Sequence, residues 1–198
     1  MYINSINPKS KTDVASLLHL IHHEFTHILN QKKAYPPEFN KVSPAVDYIA
    51  DWYNSAVDPL SLGFISGYAR KEPGEDFAEM VSWMLTWGKD YYENTYLNPA
   101  LAKIPDPALY PAGSYQKYDT GLYYLTADLP AMLKVFNGTA ASIQSFFIKQ
   151  LVTPDYSAGI AKLRQKEAIV VAYFRSAYHI DFYSLQSNVQ LALKNATK

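Results

Sequence analysis

The chain has 198 residues, and its 18 Lys plus Arg are balanced by 18 Asp plus Glu, so its net charge is zero. Without net positive charge or a basic stripe, a nucleic-acid partner is not expected. Hydrophobic residues make up 48% of the chain, enough for a sizeable core at the length of one domain or of a domain with an appended lobe, while no apolar run is long enough to span a membrane.

Tyr2-Ile3-Asn4-Ser5-Ile6 is one strand at most. Thr12 or Asp13 is then expected to cap a helix running to about Lys33. Val14, Leu17, Leu18, Ile21, Phe25, Ile28 and Leu29 recur at helical spacing, which predicts one apolar stripe facing a core. His23 and His27 project to the opposite side, together with Ser16 and Leu20. Within this helix lies His23-Glu24-Phe25-Thr26-His27, an H-E-x-x-H run. Residues four apart stack one turn above each other, so both imidazoles can grip one metal ion. Glu24 stands next to the first histidine, where its carboxylate reaches a water beside the metal as a general base. A lone histidine would read as core or solvated surface. Two at this spacing with a glutamate between them point to Zn2+. His19, one turn before His23, and His22 read as helix-surface packing.

Ser43-Pro44 opens a short helix through Val46, Tyr48, Ile49 and Trp52. Ile65-Ser66-Gly67-Tyr68 looks flexible, and its tyrosine could donate a hydrogen bond to an oxyanion beside a metal. With 17 tyrosines in the chain, residue chemistry alone does not single Tyr68 out. From Glu75 onward, Phe77, Met80, Val81, Met84, Leu85 and Trp87 cover most of a helix, which marks it as buried. Its remaining stripe is Glu75, Glu79, Ser82 and Thr86. Buried carboxylates need partners, and a dication held by two histidines supplies one. Glu75 is therefore read as the third metal ligand. Glu79, one turn on, is read as accepting a hydrogen bond from a ligand histidine's other ring nitrogen. Asp76 points away from the stripe and is assigned to the helix dipole. Trp83, Trp87 and the many tyrosines are read as packing before groove lining.

Residues 98–118, rich in Pro, Ala and Tyr, read as an irregular crossing loop. Four helical stretches are expected near 128–136, 139–152, 157–178 and 181–195, the last capped by Asp181. Ile160, Leu163, Val170, Val171, Phe174 and Tyr178 give the third its stripe. His179 reads as structural.

The run HHEFTH, then EDFAE, with Tyr68 seven residues ahead of Glu75, resembles the gluzincin metallopeptidases, and most of all their lethal-factor-like branch with its Y-x6-E-x-F-A-E stretch. That resemblance implies that Glu75 rather than Glu79 binds zinc and that Tyr68 is catalytic. The fuller pattern is similar to substrate-import-associated zinc metallohydrolase lipoproteins of Gram-negative bacteria, found with TonB-dependent uptake systems. Lys166-Glu167-Ala168-Ile169-Val170 and the segment from Tyr178 to Leu185 resemble the end of that family. The implied fold is mainly α: a zincin-like metallopeptidase domain with little or no β-sheet in this chain. Residues 1–198 would form one catalytic domain, with metal-site helices in 1–97 and a helical C-terminal subdomain in 98–198. Zincins carry a β-sheet before the H-E-x-x-H helix, so the full-length protein is expected to have upstream residues. The chain has no cysteine, so a lipid anchor is expected there too.

The function expected is hydrolysis of peptide bonds in a peptide or protein substrate, in the cell envelope and linked to outer-membrane nutrient import. The alternative is a non-catalytic binding component of a TonB-dependent import system with a structural or vestigial zinc site. Glu24 separates the two, because a structural site needs no general base.

Overall fold

The computed structural model describes residues 10–55, 57–98, 103–119, 122–135 and 144–196. They are mainly helical. The expected strand at Tyr2–Ile6 lies outside the described residues.

Two compact units are present, Met1–Leu97 with Tyr156–Lys198, and Asn98–Asp155. The first holds α1 (Lys11–Lys32), a single turn α2 (Pro59–Leu62), α3 (Pro73–Thr95), α5 (Ser157–Tyr178) and α6 (Phe182–Ala196). The second holds α4 (Leu129–Lys134) and two antiparallel strand pairs, β1 (Ile104–Pro105) with β4 (Leu151–Val152) and β2 (Tyr115–Asp119) with β3 (Leu122–Leu125). The last two helices thus belong with α1 and α3 rather than with residues 98–155.

The first unit is organised around α3. Pro73 sits in its first turn, where the missing N–H costs nothing. Its residues from Glu75 to Ser82 are all buried, as the nearly continuous apolar surface requires. Gly88 breaks the helix with φ 82°, a left-handed conformation that glycine adopts without Cβ strain. α1, α5 and α6 pack on α3. α2 meets α5 so closely that a Cβ on Gly159 would lie 1.9 Å from the Leu60 carbonyl oxygen, so no larger residue fits there.

The register of α1 departs from the expectation. Ile21, Phe25 and Ile28 are 50%, 54% and 50% exposed, whereas Ala15, His23 and Thr26 are buried. The helix packs by its polar side because the polar stripe of α3 lies opposite and satisfies it. His22 Nδ1 meets Thr86 Oγ1 at 2.9 Å, and His23 meets both Glu75 and Glu79. Its cap is Ser10, whose Oγ accepts the Asp13 N–H at 3.2 Å, two or three residues earlier than expected.

Other elements also shifted. The helix expected after Ser43-Pro44 is two 3-10 turns, Ala45–Asp47 and Trp52–Asn54. The 98–118 loop ends in β2, which pairs with β3 across a bulge between Lys117 and Asp119. The helix expected at 139–152 lies partly outside the described residues, and its end is extended, with Leu151 paired to Pro105. The 157–178 helix stands as expected. Its end is capped by His179 in the left-handed region, φ 57°, and Asp181 Oδ1 accepts the Ser184 N–H at 2.8 Å to start α6.

One charged pair lies wholly inside this unit. Asp76 Oδ2 is 2.7 Å from Lys166 Nζ, with neither side chain exposed. The same oxygen accepts the Tyr48 hydroxyl at 2.8 Å. Lys166 also donates to the Gly63 carbonyl at 2.6 Å and lies 4.0 Å from the Phe64 ring centroid. Asp76 is therefore more than a dipole partner: it ties α3 to α5.

Candidate metal centre

α1 and α3 run antiparallel, and their polar stripes bring His23, His27 and Glu75 together. One ligand atom from each lies within 4.8 Å of the others. His23 Nε2 is 3.0 Å from Glu75 Oε2, His27 Nε2 is 3.1 Å from the same oxygen, and the two Nε2 atoms are 3.1 Å apart. Tetrahedral ligands at about 2.0–2.1 Å from zinc stand about 3.3–3.4 Å apart. The triangle is slightly tighter than that, so it fits such an ion after a small expansion. The donor chemistry fits as well, with two imidazoles and one carboxylate.

The second carboxylate of the stripe holds His23. Glu79 Oε1 is 2.8 Å from His23 Nδ1. With the Nδ1 proton donated there, the neutral ring turns its Nε2 lone pair toward the triangle. Burial opposes charge on His23, but hydrogen bonds and charge from Glu79 and Glu75 outweigh it and raise its pKa.

Glu75 divides its oxygens. Oε2 faces the histidines, while Oε1 accepts the Tyr68 hydroxyl at 2.9 Å and Lys71 Nζ at 2.7 Å. Burial would raise the Glu75 pKa, but these partners and His23 bring it down to about 2. Glu79 is also held well below the usual carboxylate range: donors from His19, His23 and Ser66 overcome its burial. Both carboxylates are thus anionic at neutral pH, as metal support requires.

Tyr68 stands in a 3-10 turn, Tyr68–Arg70, just before α3. Its ring lies 5.7 Å from that of His23 and edge-on to Trp52 at 5.1 Å. Glu24 is exposed on α1 beside His23. All six residues read from the sequence, His23, Glu24, His27, Tyr68, Glu75 and Glu79, therefore fall on α1, α3 and the turn between them.

Four further neighbours escaped the sequence reading. His19 Nε2 approaches Glu79 Oε1 at 3.2 Å, a contact that its place one turn before His23 could have suggested. Trp83 Nε1 donates to Glu79 Oε2 at 3.1 Å, also at helical spacing. Ser66 donates to the same oxygen at 2.6 Å, and Lys71 reaches Glu75. Nothing in the pattern around Ser66 announces its contact.

Residues 1–183 match the family model described as putative zinc-binding metallo-peptidase. The chain belongs to that family. No curated protein matches it. Among solved structures, it is similar to a crystal structure of a putative zinc-binding metallo-peptidase from Bacteroides caccae, with a TM-score of 0.61 and 21% identity. That similarity covers 99% of this chain and 54% of the other, so the chain spans about half the length of that relative and shares its fold over this part. Among the described residues of this zinc-binding metallo-peptidase family member, no helix is long and apolar enough to cross a membrane.

Proposed function

We propose that the protein is a zinc-dependent peptidase of the gluzincin type, with His23, His27 and Glu75 as ligands. One observation carries this reading: the two histidines of H-E-x-x-H and a carboxylate 48 residues further on form a triangle of about 3 Å edges, with Glu24 exposed next to it.

Bound Zn2+ would act as a Lewis acid toward the scissile carbonyl and make water a stronger acid. The residues of the chain do the rest. Glu24 takes a proton from the attacking water. Tyr68 donates its hydroxyl proton in a hydrogen bond to the oxygen that gains charge in the tetrahedral state. Glu24 then passes its proton to the departing nitrogen, and the C–N bond breaks. Glu79 keeps the Nδ1 proton of His23 in place throughout. The Tyr68 hydroxyl, now on Glu75 Oε1, exchanges that acceptor for the substrate oxygen.

The wider setting of the proposal is the cell envelope of a Gram-negative bacterium, where cleavage would prepare a peptide or protein for a TonB-dependent importer. The resemblance of the H-E-x-x-H and EDFAE runs supports it. Elemental analysis of the zinc-supplemented protein and a peptide-library cleavage assay test the reading. One zinc per chain, with cleavage abolished by a chelator and restored by zinc, is expected. Zinc without cleavage by the full-length protein would favour the structural-site alternative.

A further inference from the structure

Glu79 receives more hydrogen bonds than orienting one histidine requires. Oε1 meets His23 Nδ1 and His19 Nε2, and Oε2 accepts from Ser66 Oγ at 2.6 Å and Trp83 Nε1 at 3.1 Å. Three of these donors come from the two helices that already hold the site. Ser66 does not. It lies in the segment before α3, two residues ahead of Tyr68.

The Ser66 hydroxyl is used twice. While its proton goes to Glu79, its oxygen accepts the Ala69 N–H at 3.1 Å. Ala69 is the middle residue of the 3-10 turn Tyr68–Arg70. A serine accepting an N–H three residues on fixes the start of such a turn. The turn is therefore tied to the carboxylate that orients His23. Its own tyrosine then reaches back to Glu75 Oε1 at 2.9 Å, whose other oxygen is 3.0 Å from His23 Nε2. The contacts close a ring that leaves His23 at Nδ1, passes through Glu79, Ser66, the turn, Tyr68 and Glu75, and returns at Nε2.

We propose that Ser66 is a positioning residue that registers the Tyr68-bearing turn against the ligand His23, by joining the turn to Glu79. It touches neither substrate nor metal. It sets where the Tyr68 hydroxyl starts relative to the metal ligands, and it shares Glu79 with one of them. A mere turn cap would need only the Ala69 contact. The short bond to Glu79 adds a strong, charge-assisted link that a cap does not require.

This inference rests on the peptidase reading for its kinetic arm alone. On the zinc-loaded full chain, Ser66→Ala should lower kcat about tenfold with KM within twofold, below or at the edge of the range of about 10- to 100-fold seen when groups directly supporting a ligand are lost. In a Tyr68→Phe background the same change should lower kcat less than twofold, because the turn then has no hydroxyl to place. Ser66→Thr, which keeps the hydroxyl, should restore wild-type kcat. The second arm needs no substrate. Zinc affinity measured by chelator competition should fall about three- to tenfold in Ser66→Ala and show no further fall from this change in Glu79→Gln. A full tenfold loss of kcat in both backgrounds, or zinc effects that multiply instead of vanishing in Glu79→Gln, would overturn the proposal. If the wild type binds zinc but cleaves nothing, the peptidase reading fails while the zinc cycle still decides the role of Ser66.

Discussion

Lys166 and Asp76 form an ion pair at 2.7 Å with no exposed surface on either side chain. Burial pushes the Asp76 carboxyl up to about 6 and pulls the Lys166 ammonium down. Lys166→Met should therefore destabilise the fold by about 3–5 kcal/mol, since it strands a buried carboxylate beside Glu75, the proposed third ligand. Adding Asp76→Leu should recover at least half of that loss, with the Gly63 carbonyl and Tyr48 hydroxyl left short of partners. Urea unfolding of the chelated protein measures both. A single variant within about 1 kcal/mol of wild type would sink the account.

Glu24→Gln should keep zinc, with affinity within about threefold, and lose about 10²–10⁴ in kcat, because the amide cannot take the proton from water. Metal content and single-turnover cleavage should be measured on the same preparation. Wild-type rates in this variant would refute the mechanism.

Tyr68→Phe should cost about 10²–10³ in kcat with KM nearly unchanged, the pattern of a donor used mainly in the transition state. Zinc should stay bound, since Lys71 remains on Glu75 Oε1 at 2.7 Å. A defect lying wholly in KM would return Tyr68 to the pool of packing tyrosines.

Zinc binding should weaken as pH falls. The raised pKa of His23 means that the doubly protonated ring persists to higher pH in the free protein than in an ordinary histidine, and its second proton must leave when Nε2 becomes a ligand. Below that pKa the apparent affinity should drop about tenfold per pH unit for this one proton. Calorimetry in two buffers of different ionisation enthalpy reads the released proton directly. The chelated protein should show the opposite dependence at this residue. A histidine raised above 6.5 adds stability that is complete below that pH and is lost as pH rises through its folded value. Glu75, lowered from 4.5 to about 2, adds stability above pH 4.5 that is lost as pH falls toward 2. These two groups together favour the chelated fold most between 4.5 and 6.5.

The grouping of His23, His27 and Glu75 was legible because its logic is local. Two histidines one turn apart declare their own geometry, and Glu75 and Glu79 stand out as charges on a helix that is otherwise apolar. The face that α1 buries was not legible from its own hydropathy. Counting Ile21, Phe25 and Ile28 as core assumes that a polar stripe seeks water, yet here two polar stripes satisfy each other. The Lys166–Asp76 pair was hidden by 90 residues of separation, and a lysine within an amphipathic helix gives no sign of being inside. The short strands were lost for a related reason. Leu151 and Pro105 pair only with each other's segments, and neither is long enough to show alternation.

The inverted packing of α1 bears on how the protein responds to chelation. The C-terminal end of the helix is clamped to α5, where Tyr173 donates to the Lys33 carbonyl at 2.6 Å and Tyr178 to the Leu29 carbonyl at 2.8 Å. Further back toward its start, the grip comes from His19, His22 and His23 on the carboxylates and hydroxyl of α3. Such a helix is hinged at one end and latched at the other, and the proposed zinc would belong to the latch. Stripping the ion should loosen the helix from its N-terminal half, with amide exchange rising ahead of His23 while the amides near Lys32 stay slow. Ile21, Phe25 and Ile28 would not hold it down, since those side chains already face outward.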